Sequence, residues 1–165
     1  MADPNASGPH GVYTAIVTPR RPGTVHIDIA AALDIADFLN AAGVNGIVAL
    51  GSTGEFTHFD FEERAKFASM LIKRSRVPVI VNVSHSSLRG AIQLAQAAMD
   101  ANAAGLLLMP PYFFRYKQPA IREFYLRFAE EVRARTYLYN IPFFTTPLDR
   151  ATSRELLASG SFAGI

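Results

Sequence analysis

Short runs of Val, Ile and Leu alternate along this chain with longer segments whose apolar residues recur every three or four positions. Gly11-Val12-Tyr13-Thr14-Ala15-Ile16-Val17 reads as a first strand stopped by Thr18-Pro19. A helix is predicted from about Asp28, an N-cap, with Ile29, Leu33, Ala36 and Leu39 as its apolar stripe and Gly43 as its C-cap. Gly46 to Leu50 reads as a second strand, followed by the loop Gly51-Ser52-Thr53-Gly54-Glu55. Asp60 with Glu63 forms a capping-box pattern ahead of a helix to about Arg74. Val77 to Val83 is a third strand, bounded by a loop from Ser84 to Ser87, and an alanine-rich helix from Leu88 to Ala101 turns Leu94, Ala98 and Met99 inward. Gly105 to Met109 is a fourth strand cut off by Pro110-Pro111, a helix spans roughly Pro119 to Arg133, and Thr136 to Asn140 is a fifth strand. Thr152 with Glu155 repeats the capping-box pattern before a short helix through Ala158. Phe162-Ala163-Gly164-Ile165 reads as a sixth strand beginning.

The strands are continuous rather than alternating in hydrophobicity, as a parallel sheet covered on both faces requires. Strand and helix alternate at roughly thirty residues per unit, which indicates repeated βαβ units. Two architectures fit: a doubly wound open sheet, or part of an eight-fold βα barrel. The first βα loop carries no G-x-G-x-x-G sequence, which weakens the dinucleotide-binding version. Five units and a starting strand cannot close an eight-stranded barrel, so a chain of this extent is expected to continue or to be a fragment.

Composition narrows the partners. Half of the 165 residues are apolar, and the formal net charge is +2. Basic residues are scattered apart from Lys73, Arg74 and Arg76, so no stripe for tracking nucleic-acid phosphates exists. There is no cysteine, which excludes disulfides, thiolate catalysis and thiolate metal sites and is compatible with a reducing cytoplasm. Residues 1–10 read as a flexible tail rather than a signal peptide, and 11–165 as the folded part. No apolar run approaches the ~18–20 residues that span a bilayer, so no membrane association is expected.

Ligands in α/β folds sit beyond the carboxyl ends of the strands, which directs attention to the βα loops. In Gly51-Ser52-Thr53-Gly54-Glu55, two glycines permit close backbone approach and successive N–H groups can hold a carboxylate or phosphate. By pattern alone it reads equally as a plain structural turn. Pro110-Pro111-Tyr112-Phe113-Phe114 reads as a pocket wall or as buried packing. In Tyr139-Asn140-Ile141-Pro142 the tyrosine can move protons through a hydroxyl relay, although taken alone it reads more simply as structural.

Taken together, Ala15-Ile16-Val17-Thr18-Pro19, Gly51-Ser52-Thr53-Gly54-Glu55 and Tyr139-Asn140-Ile141-Pro142 resemble, in order, spacing and strand-end placement, the dihydrodipicolinate synthase / N-acetylneuraminate lyase family. The resemblance covers nearly all of the chain after the tail. It implies a (β/α)8 TIM barrel, of which the chain covers about the first five βα units and the start of strand six. It also implies a cytoplasmic homo-oligomer, tetramer or dimer, with no metal or organic cofactor. A lysine on strand six forms a Schiff base with pyruvate or another 2-keto acid, and the protonated imine serves as an electron sink for making or breaking a C–C bond. By the same resemblance Tyr139 is the proton-transfer tyrosine and Thr53 the hydroxyl relaying protons to it. Ser52 and Thr53 hold the keto-acid carboxylate, Gly51 and Gly54 shape that loop, and Tyr112 stands at the substrate. The lysine is expected as the residue after Ile165. Lys66, Lys73 and Lys117 stand at non-matching positions, and a chain ending at Ile165 is expected to be unable to form the imine.

Two departures bear on the branch of the family. Phe113 stands where dihydrodipicolinate synthases usually place a second tyrosine reaching into a neighbouring subunit. Phe144 stands where they carry an arginine for the second substrate's carboxylate, and phenylalanine offers no bidentate fork. The expected activity is therefore that of a keto-acid lyase or aldolase: a sugar-acid aldolase, a dehydratase, or an aldolase for a more apolar 2-keto acid, the last resting on Phe113, Phe114, Phe143 and Phe144, which also read simply as packing. The alternatives are dihydrodipicolinate synthase proper, condensing pyruvate with aspartate semialdehyde, and a non-catalytic truncated relative binding a small carboxylate. His10, His26, His58 and His85 show no ligand spacing, Glu55 reads as a supporting or helix-end residue, and Asn140 as a loop-fixing amide.

Overall fold

The computed structural model describes residues 10–165; the tail expected over 1–10 lies, but for His10, outside them. Five strands, β1 (Tyr13–Ala15), β2 (Gly46–Ala49), β3 (Val79–Asn82), β4 (Gly105–Leu108) and β5 (Thr136–Leu138), alternate with helices α1 (Ile29–Ala42), α2 (Phe61–Arg74), α3 (Leu88–Asp100), α4 (Gln118–Glu131) and α5 (Arg150–Ala158). All four strand pairings are parallel and the spatial order is the chain order, β1-β2-β3-β4-β5. That order contains no reversal, so the doubly wound alternative fails: a doubly wound sheet reverses at a switch point and places helices on both faces. Here each helix packs on the next, α1 on α2 through α4 on α5, as a single outer ring. The sixth strand begins beside the fifth: Ala163 donates to the Thr136 carbonyl and Leu138 to that of Gly164, both at 2.8 Å, with Tyr137 and Gly164 bridged in parallel. The chain is thus the first five βα units of a (β/α)8 barrel plus the start of strand six.

The strands are shorter than their apolar runs because the chain turns out of the ladder at their carboxyl ends. Ladder hydrogen bonds still reach one residue further, from Ile16 to Val48, Val83 to Leu107 and Tyr139 to Leu108. The core lies between sheet and helices: Ala32, Ala36 and Leu39 of α1, Phe67 and Leu71 of α2, Ala91, Leu94 and Ala98 of α3, and Ile121, Tyr125 and Phe128 of α4 are buried. Leu33 and Met99, expected inward, are only partly buried. No helix among the described residues is long and apolar enough to cross a membrane.

Helix starts follow side-chain caps, with two differences from expectation. Asp28 caps α1 through the Ala31 amide, and Gly43 ends it in the left-handed region at φ 74°. Asp60 accepts from the Glu63 amide at 2.8 Å, but Glu63 does not complete a box. Its carboxylate turns to the loop after β1, 3.0 Å from His26 Nδ1 and 3.3 Å from the Ile27 amide. The start of α5 is a correction. Its cap is Asp149, which accepts from the Thr152 amide at 2.7 Å, so Thr152 lies inside the first turn and is buried. A carboxylate is a stronger acceptor than a hydroxyl for orphan amides, and Asp149 is itself held by Gln118 Oε1 on its own amide at 3.1 Å. Asp149→Ala is therefore expected to lower stability by about 1 kcal/mol and Asp149→Asn by a few tenths, read as urea midpoints; equal midpoints for Asp149→Ala and the parent would move the cap elsewhere.

Candidate active site

The carboxyl ends of β2, β3 and β4 are joined by one buried polar network that apolar strands alone would not form. Asn82, the last residue of β3, donates from Nδ2 to the Leu50 carbonyl at 2.6 Å, and its Oδ1 accepts from the Ser84 amide and hydroxyl. Ser84 Oγ accepts in turn from the Met109 amide at 2.9 Å. Beneath them Arg64 of α2, 3% exposed, donates to the carbonyls of Asn82 and Ser84, both at 3.1 Å, and its guanidinium lies 4.9 Å from the Phe56 ring centroid. Burial pushes the Arg64 guanidinium down to about 10, with Tyr112 opposing. Burial raises the Tyr112 phenol above the ordinary tyrosine value, while Arg64 pulls it the other way.

This frame presents the loop after β2. Leu50 takes a left-handed backbone at φ 58°, which throws the chain off the strand into two overlapping turns, Gly54 to Gly51 and Glu55 to Ser52, each closed at 3.1 Å. Gly54 leaves a side chain little room: a Cβ there would lie 3.0 Å from Leu50 Cα and 3.1 Å from its nitrogen, so the backbone would have to shift by a few tenths of an ångström. Gly51 lets the Tyr139 hydroxyl approach, since a Cβ would stand 3.3 Å from it. Tyr139, one residue beyond β5, accepts from the Ser52 amide at 3.3 Å and shares a hydrogen bond with Ser52 Oγ at 3.2 Å. A tyrosine and a serine hydroxyl so joined can pass a proton between them. On the far side Arg20 Nη2 donates to Glu55 at 2.7 Å and contacts His58 Nδ1 at 2.6 Å, tying the loop after β1 to that after β2.

Beside Ser52 opens a cavity of about 220 Å³. Phe56, Met109, Tyr112, Phe113, Ile141 and Phe144 wall it, and Ser52, Glu55 and Thr57 give it a polar edge. Tyr112 meets Phe56 edge to face at 5.8 Å. Among the described residues the phenylalanines after β4 and β5 are not buried: Phe113, Phe114, Phe143 and Phe144 are 87%, 64%, 95% and 62% exposed.

Among the residues singled out from sequence, Gly51, Ser52, Tyr112 and Tyr139 converge at this site. Thr53 is in the same loop and exposed, but the hydroxyl bonded to Tyr139 belongs to Ser52, and Thr53 makes no side-chain hydrogen bond among the described residues. Glu55 stands at the start of a 3₁₀ turn over Phe56–His58, supporting rather than facing the tyrosine. Asn140 fixes its own loop, accepting from the Leu148 amide at 3.0 Å and donating to its carbonyl at 3.2 Å. No group of three or more metal-ligating His, Asp or Glu side chains occurs among the described residues. Sequence reasoning missed Arg64 and Asn82. Each had a signal: a polar residue ending the otherwise apolar Val79-Ile80-Val81-Asn82, and an arginine in helical phase with Phe67 and Leu71.

Comparison with known proteins agrees with the fold. A model of the dihydrodipicolinate synthetase family matches residues 8–164. The 4-hydroxy-tetrahydrodipicolinate synthase of Desulfotalea psychrophila is 35% identical over 135 residues, covering 81% of this chain and 45% of that protein. A solved 2-keto 3-deoxygluconate aldolase from Picrophilus torridus superposes with a TM-score of 0.88 at 29% identity, over 92% of this chain and 56% of its own. A prophage protein of the dihydrodipicolinic acid synthase family from E. coli K12, solved in complex with pyruvate, superposes with a TM-score of 0.84 at 29% identity, over 90% of this chain and 51% of its own. The chain spans about half the length of the curated relatives it matches.

Two measurements test the frame. Asn82→Ala leaves the Leu50 carbonyl and the Ser84 hydroxyl without their buried partner, so stability should fall by about 2–3 kcal/mol in urea unfolding; a loss within experimental error would mean the loop stands without it. The second concerns His85, whose Nδ1 accepts from the Ser87 amide at 3.0 Å and is therefore unprotonated. Burial, then the charge of Arg64, hold its pKa below the ordinary histidine value. The unfolded chain then takes up the proton first, so the stability His85 confers is present above its unfolded pKa, about 6.5, and is lost as pH falls from there toward the lowered folded value. The melting temperature should drop over that window, and less so in His85→Gln; parallel curves for the two proteins would contradict the assignment.

Proposed function

The chain belongs to the dihydrodipicolinate synthetase family, and from that premise we propose that the protein is a Schiff-base-forming lyase or aldolase, or a dehydratase, acting on pyruvate or a related 2-keto acid. The observation that carries the reading is the Ser52–Tyr139 hydroxyl pair, joined at 3.2 Å between the loops at the carboxyl ends of β2 and β5, beside a cavity of small-molecule size. The register of strand six supports it. Gly164 pairs with Tyr137 in parallel, so the residue two places beyond Gly164 falls level with Tyr139. That is the position the family resemblance gives to the imine-forming lysine, and it puts the amine beside the tyrosine that must move its protons.

In this reading Tyr139 takes and returns protons as the carbinolamine loses water and as the C–C bond is made or broken. Ser52 relays protons to it, a role the resemblance alone gave to Thr53; the geometry favours Ser52 because its Oγ is the one in contact. The amides and hydroxyls of Ser52 and Thr53 hold the keto-acid carboxylate, Gly51 and Gly54 keep the loop close, and Tyr112 walls the substrate site. The chemistry uses no metal or organic cofactor, because the protonated imine itself withdraws the electron pair. Family resemblance adds a cytoplasmic homo-oligomer, tetramer or dimer. Phe144 in the cavity wall, where an arginine fork would hold a second carboxylate, favours the lyase reading over condensation of pyruvate with aspartate semialdehyde.

Borohydride reduction of the full-length protein with pyruvate should add one reduced pyruvate by intact mass. Tyr139→Phe should lower kcat by about 10²–10⁴-fold. Ser52→Ala should cost more than Thr53→Val in kcat, whereas Thr53→Val should act mainly on KM. The reverse order would return the relay to Thr53, and an unmodified mass would remove the Schiff-base reading.

A further inference from the structure

The cavity beside the hydroxyl pair differs in character from the pair itself. Its walls are Phe56, Met109, Tyr112, Ile141 and Phe144, with the Phe113 ring at the rim and Ser52 and Thr57 at one edge, and among the described residues the one charged residue in its lining is Glu55. That carboxylate is already engaged by Arg20 at 2.7 Å. Among the described residues the lining itself holds no cation left over for a second carboxylate, Arg20 being committed to Glu55 and Arg64 lying behind the Phe56 ring, so such a group would lose its water without a direct partner. A polyhydroxy chain would meet the same walls with most of its hydroxyls unanswered. An apolar group meets neither penalty. A dry apolar cavity of about 150 Å³ admits a benzene ring, so about 220 Å³ suits an aryl or branched-alkyl group together with its carbonyl.

We propose that the carbonyl compound joined to, or released from, the keto acid at this site is an aldehyde bearing an aryl or branched-alkyl group, and that Phe144 selects it. The inference rests on the lyase reading above. In the joining direction, carbon 3 of the keto-acid enamine gives its electron pair to the aldehyde carbon and the C–C bond forms. The carbonyl π pair moves to oxygen, which takes a proton and becomes a hydroxyl. Cleavage reverses each step, and water then releases the keto acid from the amine. No oxidant or reductant takes part. Ser52, which lines the cavity and touches Tyr139, places the new hydroxyl within reach of the proton-moving pair.

The test is cleavage by the full-length protein of two 4-hydroxy-2-oxo acids, one ending in phenyl and one in a dihydroxyethyl group, alongside borohydride trapping with pyruvate. The phenyl compound should show a kcat/KM at least about tenfold higher, the scale on which an apolar pocket discriminates. Phe144→Arg should narrow that ratio by at least tenfold, with KM for the phenyl compound rising more than kcat falls, and Phe144→Leu should largely keep the preference. A trapped pyruvate adduct together with preference for the dihydroxyethyl compound, or a ratio indifferent to Phe144→Arg, overturns this proposal and leaves the lyase reading standing. Failure to trap any adduct overturns both.

Discussion

The hydrogen bond from the Asn82 side chain to the Leu50 carbonyl, 2.6 Å long and buried, is the constraint on which the site depends. Leu50 holds a left-handed backbone that a leucine does not adopt freely, at a cost of order 1–3 kcal/mol, so something must over-determine it. Asn82 does so from the next strand. Its amide holds the Leu50 carbonyl, while its oxygen is committed to Ser84 and, through the Ser84 hydroxyl, to the Met109 amide. Three successive strand ends are therefore locked to one another before any loop residue is placed. The turn at Leu50 then sets where Gly51, Ser52 and Gly54 lie, and hence the distance from Ser52 to Tyr139.

Arg64 completes the frame in an unusual way. It is a buried cation held by two backbone carbonyls and an aromatic face, and its Nε has no hydrogen-bond partner among the described residues. Carbonyl dipoles and a ring face solvate a charge less well than water, which is why burial outweighs them and pulls the guanidinium to about 10. At neutral pH it nevertheless stays charged, and the field reaches two neighbours in opposite senses of importance. It reinforces burial in keeping His85 neutral, and it opposes burial in the Tyr112 phenol. A cation below the floor of the cavity thus coexists with apolar walls above it.

How far this was legible in the sequence follows from the range of the interactions. The elements were readable because local periodicity decides them, and the sequential strand order agrees with the barrel that the family motifs implied. The cap of α5 was misplaced by three residues because Asp149 and Thr152 are both good caps; Gln118, distant in sequence, is what holds Asp149 in position. Ser52 and Thr53 could not be told apart by spacing. They are adjacent hydroxyls on a tight turn, and only the path set by Leu50 decides which one meets Tyr139. The network of Arg64, Asn82 and Ser84 joins positions 18 and 20 residues apart through side chain to carbonyl contacts that no short motif encodes.

The aromatic residues show the same limit from the other direction. Read from sequence, Phe113 and Phe114 fit packing and pocket equally, and Phe143 and Phe144 also read as packing; in the fold all four are exposed, and Phe113 and Phe144 line the cavity. Phe113 does so with a backbone φ of 88°, a conformation that strains any residue with a side chain and a bulky one most. Its partner in the loop, Phe114, packs edge to face against it at 4.8 Å, which fixes the ring without burying it. Strain and exposure together are two costs that packing cannot explain, because packing would relieve the second. The ring stands at the edge of the cavity that Phe144 also lines, and the walls it joins are largely apolar.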